Sequence, residues 1–277
     1  MKPVDTPYST AIWPNKGWVT AILCTLTFFN SVCNFAYASN SDRGLAIATE
    51  RKARDKGWQD STADVEMILK NAQGDQSIRI MRTKTLEVNN DGDKGLTIFD
   101  EPRDVKGTVF LSHSHIKGSD DQWLYLPALK RVKRIASQNK SGPFMGSEFS
   151  YEDLSSFEIG KYTFTYLRDE SVNGTPCFVV EQIPIDRQSG YTKIIAWIDK
   201  IEYRPMKTEY YDRKKALLKT LTLSNYQMYL DKYWRALTLE MVNHQTGKST
   251  QLITHNIQFK TGLAARDFNQ NIMTRMR

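Results

Sequence analysis

The chain has 277 residues, 40% of them hydrophobic and 25% charged, with a formal net charge of +7. So modest an excess suits an anionic lipid surface and is too weak for a nucleic-acid binder. Three cysteines in this length exclude a small disulfide-built scaffold.

The N-terminus decides the compartment. Lys2 and Lys16 precede an uncharged stretch from Trp18 to Ala38, and it ends in Ala36-Tyr37-Ala38, small residues at the positions a signal peptidase inspects. The expectation is export, with cleavage after Ala38, a signal peptide over 1–38 and one domain over 39–277. Bulky Leu23 and Val32 before Cys24 and Cys33 argue against a lipoprotein signal. Asn30 and Asn34 interrupt the run and argue against a retained membrane anchor. Processing leaves Cys177 without an internal partner, so it is read as a buried, inert thiol.

From Ser39 the chain is charged and alanine-rich, with Leu45, Ile47 and Ala48 among Glu50, Arg51 and Lys52. This pattern predicts a first helix ending near Gly57. Asp60-Ser61 then predicts the cap of a second short helix, Ala63 to Ala72. After Gly74 the periodicity turns to two, starting with Ile78, Ile80, Leu86 and Val88 and a turn at Asp91–Gly95. Further strand-like runs are Leu96–Phe99, Thr108–Ile116, Gln122–Leu126, Arg131–Ser137, Tyr162–Glu170, Phe178–Ile183, Lys193–Asp199, Pro205–Tyr211, Leu217–Tyr226, Tyr233–Asn243 and Gln251–Lys260. Turn signals such as Asn173-Gly174, Ser189-Gly190 and Thr246-Gly247 separate them. With almost no helix between strands, this is an antiparallel meander.

Several strands are apolar on both faces. Tyr162, Phe164 and Tyr166 share one face; Trp123 and Tyr125 oppose Leu124 and Leu126; Trp197 stands between Ala196 and Ile198. A meander wetted on one side avoids this pattern. A large curved sheet with a dry concave side accommodates it, and a two-sheet sandwich with a packed core is the alternative. The expected fold is mainly β: an incomplete antiparallel β-barrel of about eleven strands, with N-terminal helices and a short helix covering an apolar cavity.

Candidate chemistry is sparse. His113 and His115 share a strand face, but two imidazoles do not make a metal site, and further ligands would have to come from His244, His255, Asp120 or Asp121. Gly247-Lys248-Ser249-Thr250 lacks the upstream glycine of a phosphate loop, because position 242 is Val. Asp91-Gly92-Asp93 lacks the other ligands of a calcium loop. No nucleophile, base and oxyanion site assemble, so no enzyme activity, cofactor or metal is expected. Lys130-Arg131-Val132-Lys133-Arg134 splits its charges between two strand faces and reads either as a charged edge or as a contact for head groups or an acidic partner.

The central block carries a resemblance. Phe99-Asp100-Glu101-Pro102-Arg103-Asp104-Val105-Lys106-Gly107-Thr108, Gln122 to Ile135 with Trp123-Leu124-Tyr125-Leu126-Pro127, and Gly142-Pro143-Phe144-Met145-Gly146-Ser147 through Asp153-Leu154 closely resemble the outer-membrane lipoprotein-sorting proteins. That family is similar in fold to the periplasmic Lol-type lipoprotein carriers, and the resemblance extends over Tyr211-Asp212 and Trp234–Thr250. It implies an apolar cavity for acyl chains and, as partners, lipid or acylated protein and an inner-membrane efflux-type lipid transporter.

Physical logic points the same way. Exposing an acyl chain of roughly fifteen methylenes at ~0.8 kcal/mol each costs about 12 kcal/mol, which an enclosed cavity offsets. The expected lining is Trp123, Tyr125, Tyr162, Phe164, Tyr166 and Trp197, with Phe144 and Met145 in a candidate gate, Phe144–Ser147, that could equally be a plug. The expected function is a periplasmic carrier or chaperone; the alternative is a structural or adhesive envelope protein without ligand.

Overall fold

The computed structural model describes residues 39–276, so the predicted export segment lies outside the described residues. The first element, α1 (Asn40–Arg54), is capped reciprocally: Asp42 N–H donates to Ser39 Oγ, and Ser39 N–H donates to the Asp42 carboxylate. Arg51, Lys52 and Arg54 in its last turn face the negative end of the helix dipole. Gly44, Ile47 and Ala48 form its buried stripe.

Thirteen strands follow: β1 (Asp60–Lys70), β2 (Gln76–Leu86), β3 (Lys94–Glu101), β4 (Val109–His113), β5 (Asp121–Leu126), β6 (Arg131–Ile135), β7 (Tyr162–Val172), β8 (Thr175–Pro184), β9 (Tyr191–Asp199), β10 (Pro205–Asp212), β11 (Leu217–Tyr229), β12 (Tyr233–Asn243) and β13 (Ser249–Phe259). They form one antiparallel sheet in the order β6-β5-β4-β3-β2-β1-β13-β12-β11-β10-β9-β8-β7. Two meanders thus run outward from the β1/β13 pair, and the sheet ends in two free edges, β6 and β7. It is an incomplete barrel, as the alternation predicted.

One expectation fails at the start. The segment predicted as a second helix is β1, which adds one strand to the twelve strand-like runs of the sequence and brings the total above the expected eleven or so. Val65, Met67 and Leu69 alternate toward the interior, which is strand period, and the segment pairs on both sides with β2 and β13. The supposed cap, Asp60, instead accepts from Thr261 N (2.7 Å) and Thr261 Oγ1 (2.5 Å), tying the start of the sheet to its end.

The register explains the two-sided apolar strands. Tracing paired positions, Met67, Leu252, Leu239 and Leu223 fall on one face, as do Val180, Ala196, Thr208 and Leu221. That face carries α1 and the segment between β6 and β7. The opposite face is dry at both ends of the sheet. Leu96, Ile98, Leu111 and Trp123 are covered by Phe268 and Met273 of the C-terminal segment. Cys177, Val179, Ile195 and Trp197 pack together further along. Cys177 is fully buried and unbridged, and burial pushes its thiol pKa up.

Candidate functional site

The connection from β6 to β7, residues 136–161, crosses the open seam of the barrel in a series of short 3-10 turns. Contacts from it bring the two halves of the sheet together: Lys161 Nζ meets Asp120 Oδ1 before β5, and Gln122 Nε2 of β5 donates to Tyr151 O at 2.8 Å. The concave face therefore turns through most of a barrel.

This connection fills one half of the interior. Phe144 is 2% exposed and packs on Phe99, Phe110 and Tyr151, with ring centroids 5.0 to 5.8 Å apart, over a floor of Val65, Met67 and Met81. Ser147 Oγ donates to Phe144 O at 2.7 Å. The segment is pinned by Asp153, which accepts from Lys219 Nζ and, at 2.7 Å, from Tyr191 Oη. Glu152 accepts from Gly190 N and sits within reach of Lys140; burial, opposed by these partners, raises its pKa. In this structure Phe144–Ser147 packs into the interior as a plug.

The other half is open. Between α1, the plug and β7–β11 lies a cavity of about 930 Å³, bordered by Ile194, Pro205, Tyr210, Leu221 and Leu223 on the sheet and Phe157 on the connection. Its remaining wall is polar, with Asp120, Glu152, Asp153, Lys161 and Gln182. A second cavity of about 590 Å³ continues toward β11 and β12, with Tyr203, Tyr226 and Trp234. Arg51, Ser156, Phe157, Pro205 and Leu223 border both. The lining is mixed in polarity, apolar along the sheet and charged near the connection. Tyr162 and Tyr210 are held neutral, their pKa values raised by burial.

Among the residues expected to line the interior, Tyr162 borders the large cavity. Phe164 and Tyr166 share its face but sit under α1, packed on Ile47 and Ala48. Phe144 and Met145 belong to the plug cluster. Trp123 and Tyr125 lie on the convex face beneath the C-terminal segment, and Trp197 lies on that face too, beside Cys177. Strand parity was ambiguous where both faces are apolar, and it separates these residues. The lining that sequence reasoning missed is aliphatic, Ile194, Leu221 and Leu223, together with Arg51. The 3.6-residue period of α1 signals Arg51, because it continues the stripe of Gly44, Ile47 and Ala48 by one turn.

The histidines stand apart from this interior. His113 Nε2 lies 2.6 Å from Phe268 O. His115 bridges Asp91 (2.7 Å) and Asp121 (3.2 Å); burial lowers its pKa, but the two carboxylates outweigh it and leave the value raised. Asp91 is held at about 2 by the Ile116 N–H and by His115. The basic run falls on edge strand β6, whose charged side chains are exposed.

A family model described as an uncharacterized protein matches residues 91–275. Comparison with curated proteins finds no match. Among solved structures, the chain is similar to a Vibrio parahaemolyticus domain assigned to an outer membrane lipoprotein-sorting protein. The two are 68% identical with a TM-score of 0.84, over 85% of this chain and 100% of that one. A DUF1329 family protein from Desulfovibrio piger is 25% identical with a TM-score of 0.80, over 85% of this chain and 99% of that one. A LolA superfamily protein from Nitrosomonas europaea, 20% identical with a TM-score of 0.66 over 82% of this chain and 98% of that one, shares the fold.

Proposed function

The chain belongs to the family of outer membrane lipoprotein-sorting protein domains represented by its Vibrio parahaemolyticus relative, and on that premise we propose a periplasmic carrier for lipid or lipidated protein. The observation that carries this reading is the large cavity between α1 and β7–β11. Its volume is near the upper end of the roughly 300–1,000 Å³ typical of small-molecule sites. Its wall of Ile194, Leu221 and Leu223 beside a charged rim suits an amphiphile better than a wholly apolar or wholly polar ligand. Binding without covalent chemistry is sufficient for such a role, because shielding the acyl chain is what the cargo requires.

Export follows from the N-terminal pattern, and the mature chain would begin at Ser39. The partner implied by the resemblance is an inner-membrane efflux-type lipid transporter, from which or to which cargo passes. A cargo held at full strength would never leave, so transfer needs an acceptor that binds it better or a state of the carrier that binds it less.

The test is native mass spectrometry of the exported protein, followed by solvent extraction. Co-purifying acyl species at about one per chain support the carrier. A protein that extracts clean, and takes up no acyl chain when loaded in vitro, favours the structural envelope role instead.

A further inference from the structure

Arg51 is placed where a cation is costly. It lies on the buried stripe of α1, one turn beyond Ile47 and Ala48, and reaches the partition between the two cavities. Its guanidinium carbon sits 4.2 Å from the centre of the Phe157 ring. It is half-buried, borders both cavities, and burial pushes its pKa down.

Its neighbours on the same wall are paired. Lys52 meets Glu158 at 2.9 Å, Arg204 meets Asp199 at 2.6 Å, and Arg235 meets Asp55 at 2.7 Å. Arg54 binds Glu50 and Ile201 O. Arg51 makes no hydrogen bond or ion pair among the described residues. The titratable groups that act on it are Tyr226, Asp55, Tyr210 and Tyr162; the phenols are kept neutral by burial, and Asp55 is already paired with Arg235. A guanidinium is a planar fork of N–H donors matched to carboxylate and phosphate, and one removed from bulk water without a counter-ion is destabilising.

We propose that Arg51 is an oxyanion site at the junction of the two cavities, holding the carboxylate or phosphate of an amphiphile whose acyl chain lies along Leu221 and Leu223. This rests on the carrier reading for the acyl part. The charge recognition at Arg51 stands separately from it. Phe157 holds the guanidinium from one side by cation–π contact, leaving its donor edge for the ligand. The Tyr162 and Tyr210 hydroxyls can donate further hydrogen bonds to the same anion, whereas that of Tyr226 is already donated to Pro205 O.

The experiment titrates delipidated protein with palmitate, with uncharged methyl palmitate and with inorganic phosphate, using wild type, Arg51→Met and Arg51→Lys. Wild type is expected to bind palmitate roughly tenfold to a hundredfold more tightly than the ester. Arg51→Met should bind both like the ester, and Arg51→Lys should keep part of the preference. Phosphate binding that Arg51→Met removes would assign the site to a free anion, and palmitate preference without phosphate binding assigns it to a lipid head group. Equal affinities of wild type and Arg51→Met for every probe overturn the site. Failure of both palmitate and ester to bind, with phosphate still held by Arg51, refutes the carrier reading alone. Thermal melting of the ligand-free proteins is the folding control. Relief of an unpaired buried charge leaves Arg51→Met as stable as wild type or more so, and a lower melting temperature would assign Arg51 to structure and reject the proposal.

Discussion

Lys219 of β11 and Asp153 of the β6–β7 connection form an ion pair at 2.5 Å in which the side chains are 4% and 3% exposed. Lys219 Nζ also donates to Glu148 O at 2.9 Å, and the Asp153 carboxylate accepts from Ser150 N and from Tyr191 Oη. One cation thus fastens the plug at two points to the concave sheet. The chain that crosses the seam of the barrel is tied to the sheet by buried polar contacts.

Removing half of a buried pair leaves the other half charged and uncompensated, which costs about 3–5 kcal/mol. Lys219→Met is therefore expected to be strongly destabilising, and Lys219→Met with Asp153→Asn less so than the sum of the two single changes. Urea unfolding of the four proteins measures the coupling. A Lys219→Met cost below about 1 kcal/mol would show that the pair does not anchor the plug.

A second covering element, α1, is held differently. A Cβ added at Gly44 would stand 2.7 Å from Tyr166 N and 2.9 Å from Thr165 C, both backbone atoms that cannot swing aside. Gly44 is thus what lets the helix lie directly on β7. Gly44→Ala favours helix by propensity, by about 1 kcal/mol, yet it must lift α1 from the strand and loosen Ile47 and Ala48 over Phe164. The contact term is expected to win. The prediction is net destabilisation, with faster amide exchange in α1 and β7 while β1–β5 are unchanged; a more stable protein would reject it.

The strand framework was legible because alternation is a local property of the chain, and the runs at 96–99, 122–126, 193–199 and 233–243 all lie inside observed strands. The β1 segment was misread because Asp60-Ser61 imitates a helix cap and Ile68 interrupts the alternation of Val65, Met67 and Leu69. Only pairing with β2 and β13, distant in sequence, resolves the ambiguity. The lining was less legible. Trp123, Tyr125 and Trp197 drew attention as large aromatics, but a strand apolar on both faces gives no local sign of which face is concave. That depends on the C-terminal segment folding back over Trp123, a contact spanning well over a hundred residues.

Asp93 gives a pH-dependent prediction. It borders the smaller cavity, and its pKa is raised to about 6 by burial and by Glu158 and Glu87, against the opposing effects of Lys52 and the Val88 N–H. Because the folded value lies above the unfolded one, this carboxyl favours the folded state below the ordinary aspartate range, and that contribution is lost as pH rises through about 6. Asp93→Asn keeps an acceptor for Val88 without the charge. Its stability relative to wild type should rise between pH 4 and 7.5 by roughly 1–3 kcal/mol, measured by urea unfolding at each pH. A difference that does not vary with pH would mean that Asp93 titrates normally.

The cavity itself can be closed without touching the residues that build the fold. Leu223 borders both chambers, is half-buried, and is paired across β11 and β12 with Leu239. Leu223→Trp adds an aromatic side chain directed into empty volume, so the overpacking penalty that the same change would carry in the plug cluster does not arise. The expected outcome is loss of most acyl uptake, read by extraction and native mass spectrometry, with melting temperature unchanged or raised. Trp123→Leu is the matching control on the convex face. It removes contacts with Phe268 and Met273, so it should lower stability by about 1–3 kcal/mol while leaving uptake per folded molecule intact. If Trp123→Leu abolished uptake and Leu223→Trp did not, the ligand would occupy the convex face, and the interior volume between α1 and β11 would not be the binding site.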